Sequence, residues 1–190
     1  MTDFVSVANY RARVATVSGG IELSIPSRRN YFIAAFFAAW LGGWFMGETS
    51  AIHQLLHPEA LRRNDSSAFI AFWLCAWTLA GCAVVISLLW NLGGRERVVI
   101  RSDALSIRRE IFGVGFARNY ELRFVKNLRV VEAIDSGSVF FGSNRRGNNG
   151  GPLAFDYGAK TLRFGAGVDV AEAKYLVSKM IAAKPALTNQ

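Results

Sequence analysis

Long apolar stretches alternate with polar segments along this chain, and two of these stretches carry no charged residue. They cover Tyr31–Gly47 and Ala68–Trp90. A helix needs about 20 consecutive apolar residues to cross the hydrocarbon core of a bilayer, so both stretches are of the right order. The pattern predicts two transmembrane helices, at about 31–47 and 68–92, joined by an outer loop over 48–67.

The segments on either side of these helices show the period-2 alternation of β-strands. Arg13–Val17 and Ile21–Ile25 flank a Ser-Gly-Gly turn and predict a β-hairpin. Four further strands are predicted after Gly93-Gly94, at Arg97–Arg101, Ala104–Ile111, Phe116–Leu122 and Val125–Glu132. The N-terminal hairpin lies on the same side of the membrane as these strands, so we expect it to join their sheet.

A second hairpin is predicted around Gly158-Ala159, after a Gly- and Asn-rich loop over 135–151 in which Val139–Phe141 is a candidate short strand. The turn sets the register of the two strands. It pairs Tyr157 with Lys160, Phe155 with Leu162 and Leu153 with Phe164. In this register Asp156 falls diagonal to Arg163, close enough for an ion pair.

A C-terminal amphipathic helix is predicted at about 169–183. Asp169 is placed to cap it, with Glu172 at the third helical position as in a capping box. Apolar residues recur at helical spacing behind this cap, at Ala173, Leu176, Val177, Met180 and Ile181. We expect this stripe to cover the sheet. The chain thus divides into an N-terminal hairpin (1–30), a transmembrane hairpin (31–92) and a β-rich domain (93–190).

The formal net charge of +8 gives the predicted orientation. Arginines adjoin the two apolar stretches on the sides away from the outer loop, at Arg28, Arg29, Arg95, Arg97 and Arg101. Positive residues stay on the cytoplasmic side, so both termini are predicted to be cytoplasmic. The same arginines are candidates for contact with anionic lipid headgroups at the bilayer surface.

Small residues recur every four positions along the first apolar stretch, at Ala35, Ala39, Gly43 and Gly47, and Ala76 and Ala80 repeat this spacing in the second. Such a face lets another helix approach closely. One interpretation is packing between the two helices of this hairpin. The other is packing against a foreign helix or a second copy.

The candidate chemistry is sparse. His53 and His57 are four residues apart, on a short helix that Ser50 would cap, and would point the same way, as metal ligands do. The alternative, which we favour, is an amphipathic segment on the bilayer surface. No nucleophile has a nearby base, and there is no phosphate loop or metal cluster. The sequence therefore predicts no enzyme, no cofactor, no bound metal, no identified small-molecule substrate and no nucleic-acid partner.

Several segments together resemble small bacterial membrane proteins in which a two-helix hairpin precedes a pleckstrin-homology-like (PH-like) domain. These segments are Ile25–Asn30, Arg101–Ile107, Phe155–Gly158, Thr161–Gly167 and Ala171–Ala173. The resemblance implies an α+β membrane protein with a β-rich PH-like domain closed by one helix. It implies a multi-pass location in the bacterial inner membrane and no catalytic residues.

Two functions are compatible with this sequence. The first is a non-enzymatic, membrane-anchored interaction module that serves as an accessory or assembly subunit of a larger inner-membrane complex, with other integral membrane proteins as partners. The second is a sensor of lipid headgroups. Four further arginines are candidates for a partner or lipid surface, because membrane orientation does not need them: Arg108, Arg109, Arg145 and Arg146.

Overall fold

The computed structural model describes residues 10–56, 66–131 and 151–187. His57, Arg145, Arg146 and the candidate strand Val139–Phe141 lie outside the described residues. Within them the protein is α+β, with three α-helices and two antiparallel sheets. The chain forms two compact units, one from Met1–Arg28 with Gly93–Gln190 and one from Arg29–Leu92.

The larger sheet has five strands in the spatial order β1-β2-β3-β4-β5. These strands are β1 (Arg13–Val17), β2 (Gly20–Pro26), β3 (Gly94–Ile100), β4 (Ala104–Ile111) and β5 (Val114–Glu121). β2 pairs with β3 from Ile21 opposite Ile100 to Pro26 opposite Arg95. This pairing places the N-terminal hairpin in one sheet with strands that follow it by some seventy residues of sequence.

The smaller sheet has three strands, β6 (Val125–Val130), β7 (Leu153–Tyr157) and β8 (Lys160–Phe164). The predicted register around Gly158-Ala159 is confirmed, pair by pair. Gly158 has φ +59°, a conformation that glycine adopts without strain. The predicted ion pair of Asp156 with Arg163 is wrong, because Asp156 pairs across the sheet with Arg129 at 2.8 Å.

Helix α3 (Val170–Ala183) begins where the sequence predicts. The Asp169 carboxylate accepts from the backbone N–H of Glu172 at 2.8 Å. The Glu172 side chain is nearly fully buried and accepts at 2.6 Å from the backbone N–H of Ala12, ahead of β1. Glu172 therefore ties the N-terminal segment to α3, a role that the predicted capping box does not include.

Both sheets and α3 share one apolar core. The burial of β3 alternates strictly, as expected of a strand with one face inward. The largest fully buried side chains are Phe155, Phe164, Leu23, Ile100, Leu105, Leu153, Leu176, Met180, Leu187, Val98 and Val125. Ala173 of the predicted α3 stripe is also buried, while Val177 and Ile181 are half-buried.

The other unit contains helices α1 (Tyr31–Leu56) and α2 (Ser66–Gly93). α1 runs nine residues beyond the predicted end at Gly47, because Glu48–Leu56 continue the same helix. The predicted separate helix capped by Ser50 is therefore wrong: the Ser50 hydroxyl donates to the carbonyl of Met46 within α1. Most of the predicted outer loop is thus helical.

Among the helices in the described parts of the chain, one, over Ala68–Gly93, is long and apolar enough to cross a membrane. Helix α1 is not long and apolar enough by the same measure of length and composition. Its apolar stretch ends at Gly47 and is followed by Glu48 and other polar residues. Length and composition therefore support one of the two predicted membrane-spanning helices, α2.

Candidate functional site

Arginines cluster on the outer face of the five-stranded sheet, which is the face away from the core. Arg95 and Arg97 alternate on β3, and Arg108 and Glu110 alternate on β4. The register sets Arg95 opposite Glu110 and Arg97 opposite Arg108. Since side chains alternate along a strand, all four lie on one face.

Glu110 organises this arginine cluster. Its side chain is only 3% exposed, and its Oε1 lies 2.9 Å from Arg95 Nε and 3.3 Å from Arg97 Nη2. Arg108 Nε lies 3.3 Å from Oε2, which is an ion-pair distance without hydrogen-bond alignment. The three arginine side chains remain 37–43% exposed. Three guanidinium groups are therefore held in place around one carboxylate, with Glu22 adding a second acid at 3.2 Å from Arg97.

Arg109 does not belong to the arginine cluster, although it follows Arg108 directly. It lies on the inner face, where its Nε is 2.8 Å from Oε1 of the buried Glu96. Glu96 Oε2 also accepts at 2.6 Å from the backbone N–H of Gly165, just after β8. The single candidate surface predicted for Arg108 and Arg109 is therefore split between two faces, as strand alternation requires.

The other predicted lipid-contacting arginines lie outside the arginine cluster, Arg28 and Arg101 in the sheet unit and Arg29 in the helical unit. Arg28 and Arg29 are exposed between β2 and α1. Arg101 is exposed just beyond the C-terminal end of β3, about 20 Å along the strand from Gly94 at the other end. Arg95 and Arg101 therefore lie at opposite ends of β3 and are not brought together.

The predicted helix-packing residues lie mostly on outward faces. Ala35, Ala39 and Gly43 of α1 are exposed, as is Ala76 of α2, while Gly47 and Ala80 are half-buried. A Cβ atom added to Gly43 would meet no other atom within 4 Å. Ala35, Ala39 and Gly43 therefore do not pack against α2. The interpretation that the small residues pack the two helices of this hairpin together does not apply to these three.

Bulky side chains form the actual contact of α1 with α2. Trp44 Nε1 donates to the carbonyl of Trp77 at 3.1 Å, and the Trp40 and Trp77 rings lie 6.0 Å apart. Gly81 makes room for Trp44, since a Cβ there would fall 2.2 Å from the indole. Asn91 accepts at 3.2 Å from the backbone N–H of Asn30 at the other end of the pair.

Glu48 is a buried polar residue that sequence reasoning placed in the outer loop. It is 9% exposed, and Thr78 Oγ1 donates to its Oε1 at 2.5 Å. Its Oε2 and the Trp77 indole nitrogen are buried without a hydrogen-bond partner. A carboxylate one residue beyond an apolar helical stretch, with a threonine inside the next one, is the signal that could have revealed this pair.

The remaining candidates do not come together into a site. His53 is exposed on α1, and Cys75 and Cys82 are exposed free cysteines on α2. No three His, Cys, Asp or Glu residues of the described segments are grouped so as to hold a metal ion. The described residues present fixed cationic donors and exposed apolar surfaces.

Comparisons with known proteins add no relative. No protein-family model matches the chain, and no curated protein and no solved structure matches it either.

Proposed function

We propose that this protein is a non-enzymatic, membrane-anchored interaction module, an accessory or assembly subunit of a larger bacterial inner-membrane complex. In this proposal α1 and α2 cross the membrane as a hairpin. Both termini are cytoplasmic, and the sheet unit is a PH-like domain. Other integral membrane subunits are the partners.

The outward small-residue face of α1 is the observation that carries this proposal. Ala35, Ala39 and Gly43 are exposed, and nothing lies within 4 Å of a Cβ at Gly43. Helix association in lipid depends on close van der Waals packing, which small residues permit. α2 packs against the Trp44 side of α1, so the small-residue face is left for a helix from another subunit.

The test is gentle solubilisation of the native membrane, size separation and identification of proteins that travel with this chain. We expect a stoichiometric complex that Gly43→Leu dissociates. Ala38→Leu is the matched control, because Ala38 is also an exposed small residue of α1, but lies five positions before Gly43 and is turned about 140° away from it. Migration of the unmodified chain alone would contradict the proposal.

A second candidate function, recognition of anionic lipid headgroups, is favoured by the arginine cluster. Glu110 holds Arg95, Arg97 and Arg108 in place, so less side-chain entropy is lost when a phosphate binds. Guanidinium groups suit phosphate because they present paired donors. Arg95 lies two residues beyond the end of α2, close to where headgroups would be.

Lipids retained by the full chain in nanodiscs test this second function. We expect enrichment of phosphatidylglycerol over phosphatidylcholine, lowered by Arg95→Gln and Arg108→Gln. Arg101→Gln is the control, because Arg101 lies at the far end of β3. Equal enrichment in all variants would remove the arginine cluster from lipid binding.

A further inference from the structure

Three large apolar side chains are exposed on the hairpin formed by β4 and β5. Phe112 is 66% exposed, Val114 80% and Phe116 90%. Single exposed apolar residues are ordinary on protein surfaces, whereas a contiguous group marks an interaction surface. The group lies within five consecutive positions, so one short piece of chain presents it.

The turn that carries these residues is rigidly built. Phe112 and Gly113 both have positive φ, at 50° and 89°, as a two-residue hairpin turn of the primed kind requires. A phenylalanine at positive φ is strained, since such turns favour Asn or Gly at that position. The Arg108 guanidinium donates at 3.1 Å to the Gly113 carbonyl and braces the turn. A strained residue held out toward the surroundings suggests a function for its side chain.

The turn lies beside the residue at which α2 ends. The backbone N–H of Phe112 donates to the Gly93 carbonyl at 3.3 Å. A Cβ on Gly93 would fall 2.4 Å from the Phe112 ring, so the ring lies against the Gly93 backbone. Gly94 is opposite Ile111, which is in turn opposite Val114. Phe112 and Val114 thus lie next to the last residue of the Ala68–Gly93 segment, and Phe116 lies two residues further along β5, opposite Arg109.

Charge near the turn matches an anionic surface. Arg108 is 43% exposed and braces the turn, and Arg95 shares Glu110 with it. Val114 and Phe116 are opposite Ile111 and Arg109, so they lie on the other face of the sheet from Arg95 and Arg108. Apolar side chains on one side and arginines on the other are the arrangement with which interfacial segments enter the headgroup region. Where α2 crosses a bilayer, its end at Gly93 lies at the bilayer surface, and the Phe112 turn lies there with it.

We propose that the β4–β5 turn is a membrane-insertion tip. Phe112, Val114 and Phe116 enter the headgroup–acyl boundary of the bilayer that α2 crosses, about 5–10 Å deep, as interfacial segments do. Arg108 contacts lipid phosphate. The occupant of this apolar surface is lipid, because the surface adjoins the end of a spanning segment. This inference rests on the membrane anchoring of the proposed function, and not on a partner subunit.

Depth-dependent fluorescence quenching tests the insertion on the full chain. Cys75 and Cys82 are replaced by Ser, and a single cysteine carrying an NBD fluorophore is introduced by Val114→Cys, Asn119→Cys or Leu79→Cys. Each protein is reconstituted in nanodiscs of phosphatidylcholine and phosphatidylglycerol containing doxyl-labelled lipid. Asn119 is the matched control, exposed on β5 but about 17 Å along the strand from Val114. Leu79 is 71% exposed on α2 and reports the span.

The labels separate the inference from the proposed function. We expect the Val114 label to lose most emission with doxyl groups near the headgroup, and the Leu79 label with doxyl groups near the chain end. The emission of the Asn119 label should not be quenched by doxyl lipid and should still be quenched by iodide in the buffer. Quenching at Leu79 without quenching at Val114 overturns the insertion and leaves the anchor intact. No quenching at Leu79 overturns both.

Discussion

Buried carboxylates are the residues that fix the sheet unit, each by a long-range contact. Glu96 joins β3 to the turn after β8, Glu110 gathers three arginines, and Glu172 holds the segment ahead of β1. All three are at most 3% exposed. Burying a carboxylate costs free energy unless its oxygens are paired. The sequence places Glu110 correctly on β4, but not its partners, because Arg95 and Arg97 reach it across the sheet rather than along the chain.

Replacing Glu110 tests whether the arginine cluster depends on it. Glu110→Gln leaves Arg95, Arg97 and Arg108 without a shared counter-charge, so we expect a loss of about 2 kcal/mol in the free energy of unfolding. The measurement is thermal unfolding of the full chain in detergent, compared with Glu121→Gln. The Glu121–Arg123 pair is 58% and 73% exposed, so its loss should cost under about 1 kcal/mol. Equal losses in the two variants would contradict this role for Glu110.

The titration of Asp156 should make the free energy of unfolding depend on pH. Arg129 donates to both carboxylate oxygens and, with help from Thr161 and Asn127, lowers the pKa of Asp156 from 3.8 to about 2. A pKa lowered by folding adds stability above the ordinary value and loses it as the pH falls through the folded-state value. The stabilisation is therefore present above about pH 4 and disappears toward pH 2.

The corresponding variant is Asp156→Asn. At pH 7 we expect it to cost about 1 kcal/mol, the value of a partly exposed pair. Between pH 4 and pH 2 its unfolding free energy should fall less steeply than that of the unmodified chain. Asp103→Asn, at an exposed carboxylate ahead of β4, is the control. Parallel pH curves for the Asp156 variant and the unmodified chain would show that the pair does not stabilise the fold.

At the scale of elements, the sequence predicts β4 and the β7–β8 hairpin well, because alternation and turn residues are local signals. It predicts α1 only in part. The helix is extended past Gly47 because Glu48 is buried against α2 and bonded to Thr78, and a sequence does not show that partner. The contacting face of α1 is missed for a related reason. Small residues predict a close approach, whereas Trp44 fits over Gly81 instead.

The contrast between Gly81 and Gly43 gives a prediction about the helix pair. Gly81→Ala forces a Cβ to within 2.2 Å of the Trp44 ring, whereas a Cβ at Gly43 meets nothing within 4 Å. Overpacking of this kind costs about 1–3 kcal/mol. We therefore expect Gly81→Ala to lower the midpoint of thermal unfolding in detergent, followed by tryptophan fluorescence, and Gly43→Ala to leave it unchanged. A lower midpoint for Gly43→Ala would place the small-residue stripe inside the helix pair after all.

At the scale of the whole molecule, the helical segment is inserted into the sequence of the sheet unit. The last residues of β2 and the first of β3 are adjacent, with the Ser27 N–H donating to the Gly94 carbonyl at 2.9 Å. Local alternation predicts the strands on both sides of the insertion. The packing that unites them is non-local, since Leu23 and Ile25 of β2 enter the same core as Leu176 and Met180 of α3.

This arrangement predicts which soluble fragment folds. Residues 93–190 alone lack Leu23 and Ile25, which are 0% and 2% exposed and contribute about 1.5–3 kcal/mol each by burial. They also leave β3 as an unpaired edge and the Glu172 carboxylate without the Ala12 N–H. Typical domains are stable by only about 5–15 kcal/mol, so we expect this fragment to remain unfolded.

A fusion of residues 10–28 to 93–190 through a short Gly-Ser linker restores these contacts, because the joined ends already lie side by side at Ser27 and Gly94. We expect dispersed amide resonances and cooperative unfolding from the fusion, and neither from 93–190. Leu23→Asp in the fusion places an unpaired charge in the core and should abolish both signals, which separates core packing from simple chain length. A cooperative fold for 93–190 alone would mean that β1 and β2 are an addition to a domain already complete without them.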